Sequence, residues 1–212
     1  MITEQYITQL PNWPKSGQHI LAQYDEDSVI VYQAYRPSIG EFAHKNQQFG
    51  GEFSYSRMSW IKTNFLWMMY RSGWGTKSGQ EVTLAVRINR AFFEKILEEA
   101  VPSSFDPNKF GTRDEWKQAT TSSEVRLQWD PDHDPSGEKV SRRAVQLGLR
   151  GSVLARYGQD AIVEISDISE FVDKQRQFAR GNFDQLITPR EAVFRPRSEK
   201  AVSNVQLSVV DV

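Results

Sequence analysis

Residues 28–37 read SVIVYQAYRP, a run rich in β-branched and aromatic side chains that ends at Pro37. This composition predicts a buried β-strand, because such residues fill a pleated surface and proline cannot continue a sheet ladder. Directly afterwards, Ser38 and Glu41 have the spacing of a capping box, which predicts a short helix through about Asn46. A strand followed this closely by a helix indicates a chain of intermixed elements.

Strand and helix patterns are intermixed along the rest of the chain. Strands are predicted at residues 81–89, 124–130 and 160–168, and helices at residues 57–72, 90–101, 141–158 and 168–181. The segments without a clear pattern are an irregular lead-in at residues 1–23, a polar excursion at residues 102–123, and a tail or edge strand at residues 197–212. We therefore predict a single α+β domain whose central sheet is mixed or antiparallel and is packed against helices.

The composition excludes several classes of protein. The formal charge is only -1, from 26 basic and 27 acidic side chains, so any anion site must come from local clustering. The sequence has no cysteine, which excludes disulfides, thiolate metal sites and a cysteine nucleophile. Residues 1–18 lack the apolar run of a signal peptide, and the longest apolar stretch, residues 65–70, is too short to span a bilayer. We expect a cytoplasmic protein with no membrane partner.

Tryptophans and basic residues share one stretch, RMSWIKTNFLWMMYRSGW at residues 57–74. On the predicted helix one arc carries Arg57, Trp60, Asn64, Trp67, Arg71 and Trp74, with Lys62 nearby. The tryptophans could be core while the arginines pair with internal carboxylates, since aromatic stripes usually pack. The alternative is a binding site in which arginine forks hold phosphate and Trp60 or Trp67 stacks on a base.

Carboxylates and an imidazole cluster in WDPDHDP, directly after a predicted strand. The alternation of Asp130, Asp132 and Asp134 is that of a calcium loop, but the later glycine and glutamate of an EF-hand are missing. Three interpretations stay open. Asp130 and Asp132 could bind a divalent metal, His133 with Asp132 could transfer protons, or the aspartates could cap turns of their own backbone.

A second basic cluster lies in residues 141–158. On the predicted helix, Arg142, Gln146 and Arg150 form one stripe, flanked by Arg143. No acidic residue lies between positions 140 and 155, so these arginines cannot form ion pairs one turn apart. They predict either a phosphate clamp or a basic face that is solvated or paired with the aspartates just upstream.

Two further residues stand at or within predicted strands. Arg36 ends an apolar strand and could reach into a cleft above the sheet. Glu164 is a carboxylate inside another apolar strand, AIVEISDI, where it is either exposed or a partner for the arginines.

Several of these stretches together resemble a catalogued family. The motifs VYQAYRP, FGG, RMSWIKTNFLWMMYRSGWG, QWDPDHDP and RRAVQLGLRG resemble the bacterial and fungal family called domain of unknown function 4291. The resemblance covers roughly residues 20–195. It implies no activity, substrate or cofactor.

A looser resemblance is to ADP-ribosyltransferase-type enzymes, which combine a strand ending in arginine, an aromatic-rich segment and a later strand bearing glutamate. It implies that Arg36 holds the phosphates of NAD, that a Trp or Tyr of residues 60–74 stacks on nicotinamide, and that Glu164 assists the transfer. The Ser-Thr-Ser motif of those enzymes is absent here.

Three functions follow as hypotheses. The first is an enzyme, such as an NAD- or nucleotide-using transferase, that binds a small anionic or nucleotide-like ligand in an Arg/Trp-lined cleft. The second is a metal-dependent hydrolase built on Asp130, Asp132 and His133. The third is a non-enzymatic module that binds single-stranded nucleic acid by tryptophan stacking.

Overall fold

The strand predicted from residues 28–37 forms β4 of a computed structural model that describes residues 1–209 of the chain. The strands of this described part are β1 (Thr3–Gln5), β2 (Gly17–Gln18), β3 (Ile20–Ala22), β4 (Ser28–Tyr35), β5 (Ser59–Lys62), β6 (Val82–Asn89), β7 (Val101–Pro102), β8 (Val125–His133), β9 (Lys139–Leu149), β10 (Ile162–Asp167), β11 (Ile187–Pro189) and β12 (Ala192–Phe194). Its α-helices are α1 (Tyr6–Gln9), α2 (Pro37–Asn46), α3 (Phe65–Ser72), α4 (Arg90–Glu99), α5 (Arg113–Ser122), α6 (Gly151–Gly158), α7 (Ser169–Arg176) and α8 (Glu199–Val205).

Eight of the strands form one sheet in the order β10-β6-β4-β5-β9-β8-β7, with β2 also paired to β9. The β2–β9 and β7–β8 pairs are parallel and the remaining pairs are antiparallel. Two small sheets, β1–β11 and β3–β12, lie outside it. The predicted single α+β domain with a mixed central sheet is therefore confirmed.

Alternate residues of β4 enter two different cores. Val29 and Val31 share one core with side chains of α4 and α6, such as Phe93 and Leu154. Ile30 and Tyr32 share the other with side chains of α3 and α7. The period of two sends successive side chains to opposite faces, so the sheet lies between two helical layers.

The single helix predicted over residues 57–72 is wrong. Ser59–Lys62 form β5, which pairs antiparallel with β9, and the helix begins only at Phe65. Asn64 caps it, because its Oδ1 accepts a hydrogen bond from the Trp67 amide at 2.6 Å. The three tryptophans therefore do not share a helical arc.

The helix predicted over residues 141–158 is also wrong in its first half. Residues 139–149 form strand β9, and α6 begins at Gly151. The reason lies in an alternation of period two. Val145, Leu147 and Leu149 all enter the core shared with α6, which a strand allows and a helix does not.

The predictions for the remaining segments are confirmed only in part. The polar excursion does contain a helix, α5, whereas the lead-in holds short strands and α1 rather than irregular chain alone. The helix predicted after β4 is present as α2, but the predicted capping box is wrong, because the helix begins at Pro37 and Ser38 makes no cap hydrogen bond. The tail folds into α8, and residues 210–212 of the expected edge strand lie outside the described residues.

Within residues 1–209, no helix is long and apolar enough to cross a membrane.

Candidate functional site

A cleft opens in the sheet where β4 and β5 separate. These strands meet through one residue pair in the described chain, Tyr32 opposite Lys62, and the C-terminal end of β4 then diverges from β5. The resulting cleft has a volume of about 730 Å³. Its lining residues are Gln33, Ala34, Tyr35, Arg36, Ile39, Glu52, Phe53, Ser54, Arg57, Met58, Ser59, Trp60, Lys62, Met68, Arg71, Gly79, Gln80, Gln128 and Gln146.

Amide side chains form the floor of the cleft. Lys62 lies opposite Gln146 across β5 and β9, and Gln146 lies opposite Gln128 across β9 and β8. The Asp130 carboxylate accepts a hydrogen bond from each glutamine Nε2, at 2.8 Å from Gln128 and 2.6 Å from Gln146. Among the described residues no donor reaches either glutamine Oε1, so these oxygens remain available to a ligand.

The cleft has an excess of positive charge. Four of its lining residues are basic and one, Glu52, is acidic. The Glu52 carboxylate is already engaged, because it pairs with Arg36 at 2.8 Å and accepts from the Ser38 hydroxyl at 2.5 Å. The guanidinium groups of Arg57 and Arg71 are exposed and have no hydrogen bond or ion pair within residues 1–209. The arginines of this stretch therefore have no internal carboxylate partner.

Lys62 stands at the base of the cleft and is only 6% exposed. Its ammonium has no hydrogen bond or ion pair in the described chain. Burial, together with the charge of Arg71, lowers the pKa of Lys62 to about 8, and the Asp130 carboxylate partly opposes this shift. With this pKa the amine is partly deprotonated near neutral pH, whereas an exposed lysine stays charged.

One wall of the cleft is the indole of Trp60, on β5. It packs across Gly148 of β9, where an added Cβ would lie 3.0 Å from Trp60 Cζ2 and 2.6 Å from Met58 Sδ. Gly148 thus makes room for the ring and the thioether to lie against the sheet.

A hydrogen-bond network fixes the diverging end of β4. Gln33 Nε2 donates to the Tyr35 hydroxyl at 2.7 Å and to Ser59 Oγ at 2.9 Å, and Gln33 Oε1 accepts from the Tyr157 hydroxyl at 2.7 Å. Burial raises the pKa of Tyr35, so its hydroxyl stays protonated. Sequence reasoning missed Gln33, Tyr35, Ser59 and Gln128. A glutamine inside an apolar strand, as in SVIVYQAY and VRLQWD, was the signal that could have found two of them.

The sequence of the cleft and its scaffold matches a family model, domain of unknown function DUF4291, over residues 19–194. The chain belongs to the DUF4291 family. The match includes every residue that lines the cleft and confirms the resemblance seen in the motifs. A search of curated proteins found no match to the chain.

The basic cluster on β9 does not form a clamp in the cleft. The buried Arg142 donates from Nε to Asp132 Oδ2 at 2.8 Å and from Nη1 to the Pro14 carbonyl at 2.6 Å, and its Nη2 forms an ion pair with the same Asp132 oxygen at 2.6 Å. Arg143 donates to the Trp129 carbonyl at 2.7 Å. Arg150 donates to the Thr121 and Ser123 carbonyls at 2.6 and 2.8 Å. Of the four residues expected in the clamp, only Gln146 lines the cleft.

The proposed proton-transfer residue His133 also lies outside the cleft lining. Its buried ring stacks on Tyr70 at a centroid distance of 3.5 Å and on Trp67 at 5.5 Å. Neither ring nitrogen has a hydrogen-bond partner in the described chain, and burial lowers the pKa of His133. Trp67 is itself buried in this stack, so Trp60 alone of the stretch's tryptophans faces the cleft.

The remaining acidic candidates do not line the cleft, although Asp130 holds the two glutamines of its floor. Glu164 lies on the edge strand β10, 3.8 Å from Arg87 Nε, and does not line the cleft. Asp130 accepts from two glutamines and Asp132 pairs with Arg142. Across residues 1–209, no group of three or more His, Asp or Glu side chains is placed to hold a metal ion.

Proposed function

We propose that this DUF4291 protein binds a small phosphorylated, nucleotide-like ligand in the cleft between β4 and β5. The observation that carries the proposal is the presence of three cationic side chains, Arg57, Lys62 and Arg71, that line one cleft without a carboxylate partner in the described chain.

Phosphate is the anion that this arrangement favours. Arginine forks bind phosphate oxygens through paired, charge-assisted hydrogen bonds, and a lysine adds a point charge. Lys62 is buried, and a buried unpaired charge is destabilising until an anion compensates it. Ligand phosphate at the base of the cleft would supply that compensation.

A nucleotide-like ligand accounts for the rest of the lining. Trp60 offers a flat face on which a base or nicotinamide can stack, and the Gln128 and Gln146 Oε1 atoms can accept from ribose or base. The volume of about 730 Å³ lies within the usual range of roughly 300–1,000 Å³ for small-molecule pockets. A cleft of this size suits a mononucleotide or dinucleotide better than a long single strand.

Among nucleotide-like ligands, NAD is the most narrowly defined candidate within this proposal. Arg36 and Trp60, two of the positions that the ADP-ribosyltransferase layout implies, both line the cleft. Glu164 does not, and the acid that does, Glu52, is paired with Arg36. These contacts support nucleotide binding rather than a transfer reaction.

Thermal denaturation with a ligand panel tests the proposal, because a ligand that binds only the native state raises the midpoint. The panel should contain phosphate, pyrophosphate, AMP, ADP, ATP and NAD, with adenosine as the uncharged control. We expect the phosphorylated compounds to raise the midpoint and adenosine to have little effect. Equal midpoints across the panel would contradict the proposal.

A cytoplasmic location is a second proposal, with which the absence of cysteine is compatible. Fractionation of cells that express the native chain would test it.

A further inference from the structure

We propose that Lys62 is a catalytic amine that forms an imine with the carbonyl carbon of a phosphorylated aldehyde or ketone held in the cleft. This inference rests on the proposed anion binding, because the arginines must hold the phosphate of the same molecule.

The position of Lys62 is fixed by backbone pairing on both sides. It lies opposite Tyr32 of β4 and opposite Gln146 of β9, so its side chain enters the cleft from the middle of the sheet. Catalytic groups on a rigid strand are held more accurately than groups on a loop.

The amine of Lys62 also has no structural role that would occupy it. A buried structural lysine normally pairs with a carboxylate. The nearest candidate is Asp130, which instead accepts hydrogen bonds from two glutamines and makes no ion pair with Lys62. The nitrogen is therefore left to react with a ligand.

Other lysines of the described chain differ from Lys62. Lys109 donates to the Asn204 carbonyl and side chain, both at 2.7 Å, and Lys77 donates to the Arg71 carbonyl at 2.7 Å. Lys45 is exposed on α2. Among these, Lys62 alone combines deep burial with the lining of a cleft.

The surroundings of Lys62 favour a reactive amine. Desolvation and a neighbouring cation are the two ways in which proteins activate a lysine for imine chemistry. Burial supplies the first and Arg71 of α3 supplies the second, while Asp130 of β8 acts in the opposite direction. With a pKa of about 8, a substantial fraction of the amine is neutral near physiological pH.

The proposed step balances without an oxidant or reductant. The lone pair of neutral Lys62 Nζ bonds to the carbonyl carbon, and the C=O π electrons move to the oxygen, giving a carbinolamine. The oxygen then leaves as water with both amine protons, so an amine and a carbonyl give an imine and one water. Arg57 and Arg71 would hold the phosphate during this step.

Reductive trapping tests the inference directly. Pyridoxal 5′-phosphate combines an aldehyde, a flat ring and a phosphate, so it is a suitable probe. Full-length protein would be treated with less than one equivalent of the probe and cyanoborohydride near pH 7.5, digested, and the adducts mapped by mass spectrometry. We expect Lys62 to be labelled roughly tenfold or more above any exposed lysine, because a larger fraction of its amine is neutral at this pH. Labels spread over exposed lysines, with none at Lys62, would overturn the inference.

Matched variants identify the reacting nitrogen. Lys62→Arg keeps the charge but cannot form an imine, so the dominant adduct should disappear, while Lys45→Arg should keep it. If Lys62→Arg does not fold, competition in the wild-type protein decides. Excess pyrophosphate should then reduce labelling at Lys62 and leave labelling at Lys45 unchanged, and unchanged labelling at Lys62 would overturn the inference.

A further control separates this inference from the proposed function. Pyridoxine 5′-phosphate carries an alcohol in place of the aldehyde, and its binding is measured by calorimetry. If it binds and Lys62 remains unlabelled by the aldehyde, the imine proposal fails while anion binding stands. If neither pyridoxine 5′-phosphate nor pyrophosphate binds, and pyridoxal 5′-phosphate leaves Lys62 unlabelled, both proposals fail.

Discussion

Lys62 lies directly opposite Tyr32 in the pair that joins β5 to β4. By contrast, β4 pairs with β6 over eight residues on its other side, and β5 pairs with β9 over four. The sheet therefore separates at one defined position, and a buried lysine occupies the base of the resulting cleft.

Replacing Lys62 with methionine should stabilise the protein at neutral pH. The pKa of Lys62 is about 8 in the folded state and 10.5 for an ordinary lysine, so below pH 8 the folded state carries the full penalty of a buried charge. Methionine removes this penalty, which we expect to raise the free energy of unfolding by up to about 3 kcal/mol. Urea denaturation at pH 7 measures the change.

The pH dependence provides the control for this substitution. As the pH rises from about 8 to 10.5, the unfolded state holds the extra proton, so the wild type gains stability and the advantage of Lys62→Met should disappear. A variant that is less stable than wild type at pH 7 would show that the ammonium has a stabilising partner.

Replacing Glu191 with glutamine should flatten the pH dependence of stability. Glu191 Oε1 accepts a hydrogen bond from the Phe65 amide at 2.7 Å, at the first residue of α3, and Gln can keep this contact. Burial raises the pKa of Glu191 well above its ordinary 4.5, so the unfolded state releases its proton first as the pH rises. Wild-type stability then falls above about pH 4.5, and Glu191→Gln should be the more stable form at pH 7.

Urea denaturation from pH 4 to pH 8 measures this difference between wild type and Glu191→Gln. The two curves should converge toward pH 4. A gap that is constant across the range would contradict the raised pKa of Glu191.

Removing one partner of the Arg142–Asp132 pair should destabilise the fold without affecting the cleft. Both side chains are buried, and Asp132→Ala leaves an uncompensated guanidinium, which typically costs about 3–5 kcal/mol. The double variant Asp132→Leu/Arg142→Met should recover much of that loss. Both effects appear in urea denaturation.

Ligand affinity distinguishes a structural pair from a phosphate clamp. Because Arg142 does not line the cleft, the double variant should bind nucleotides as the wild type does. A large loss of nucleotide affinity in a folded Asp132→Leu/Arg142→Met protein would contradict this prediction and show that Arg142 takes part in binding.

The sequence predicted those elements of the fold whose patterns are local. β4, β6 and α4 follow from their composition and period, and they form as predicted. The aromatic and basic residues of segments 57–64 and 141–149 also fit a period near four, which predicts helices there. Pairing between β5 and β9 decides both segments, and such long-range pairing cannot be read from either segment alone.

The sequence predicted only part of the candidate site, because long-range contacts also decide which side chains meet in the cleft. Arg36, Arg57, Lys62, Arg71 and Gln146 were selected for their residue types, and the cleft brings them together. His133 and Arg142 have equally suitable chemistry, but they are buried in a ring stack and an ion pair. Sequence alone does not show which cations meet a carboxylate, since Asp132 is ten positions from Arg142 and Glu52 is sixteen from Arg36.

Calorimetric titration of ADP into wild type, Arg57→Ala/Arg71→Ala and Arg180→Ala tests the central claim most directly. Arg180 is an exposed arginine outside the cleft lining and serves as the matched control. A charge-assisted hydrogen bond contributes about 1.5–3 kcal/mol, so the double variant, which removes at least two such bonds, should lose roughly 100-fold or more in affinity, while Arg180→Ala binds like wild type. Equal affinity of the double variant and the wild type, or no binding of ADP to any of the three, would contradict the assignment of the cleft as an anion-binding site.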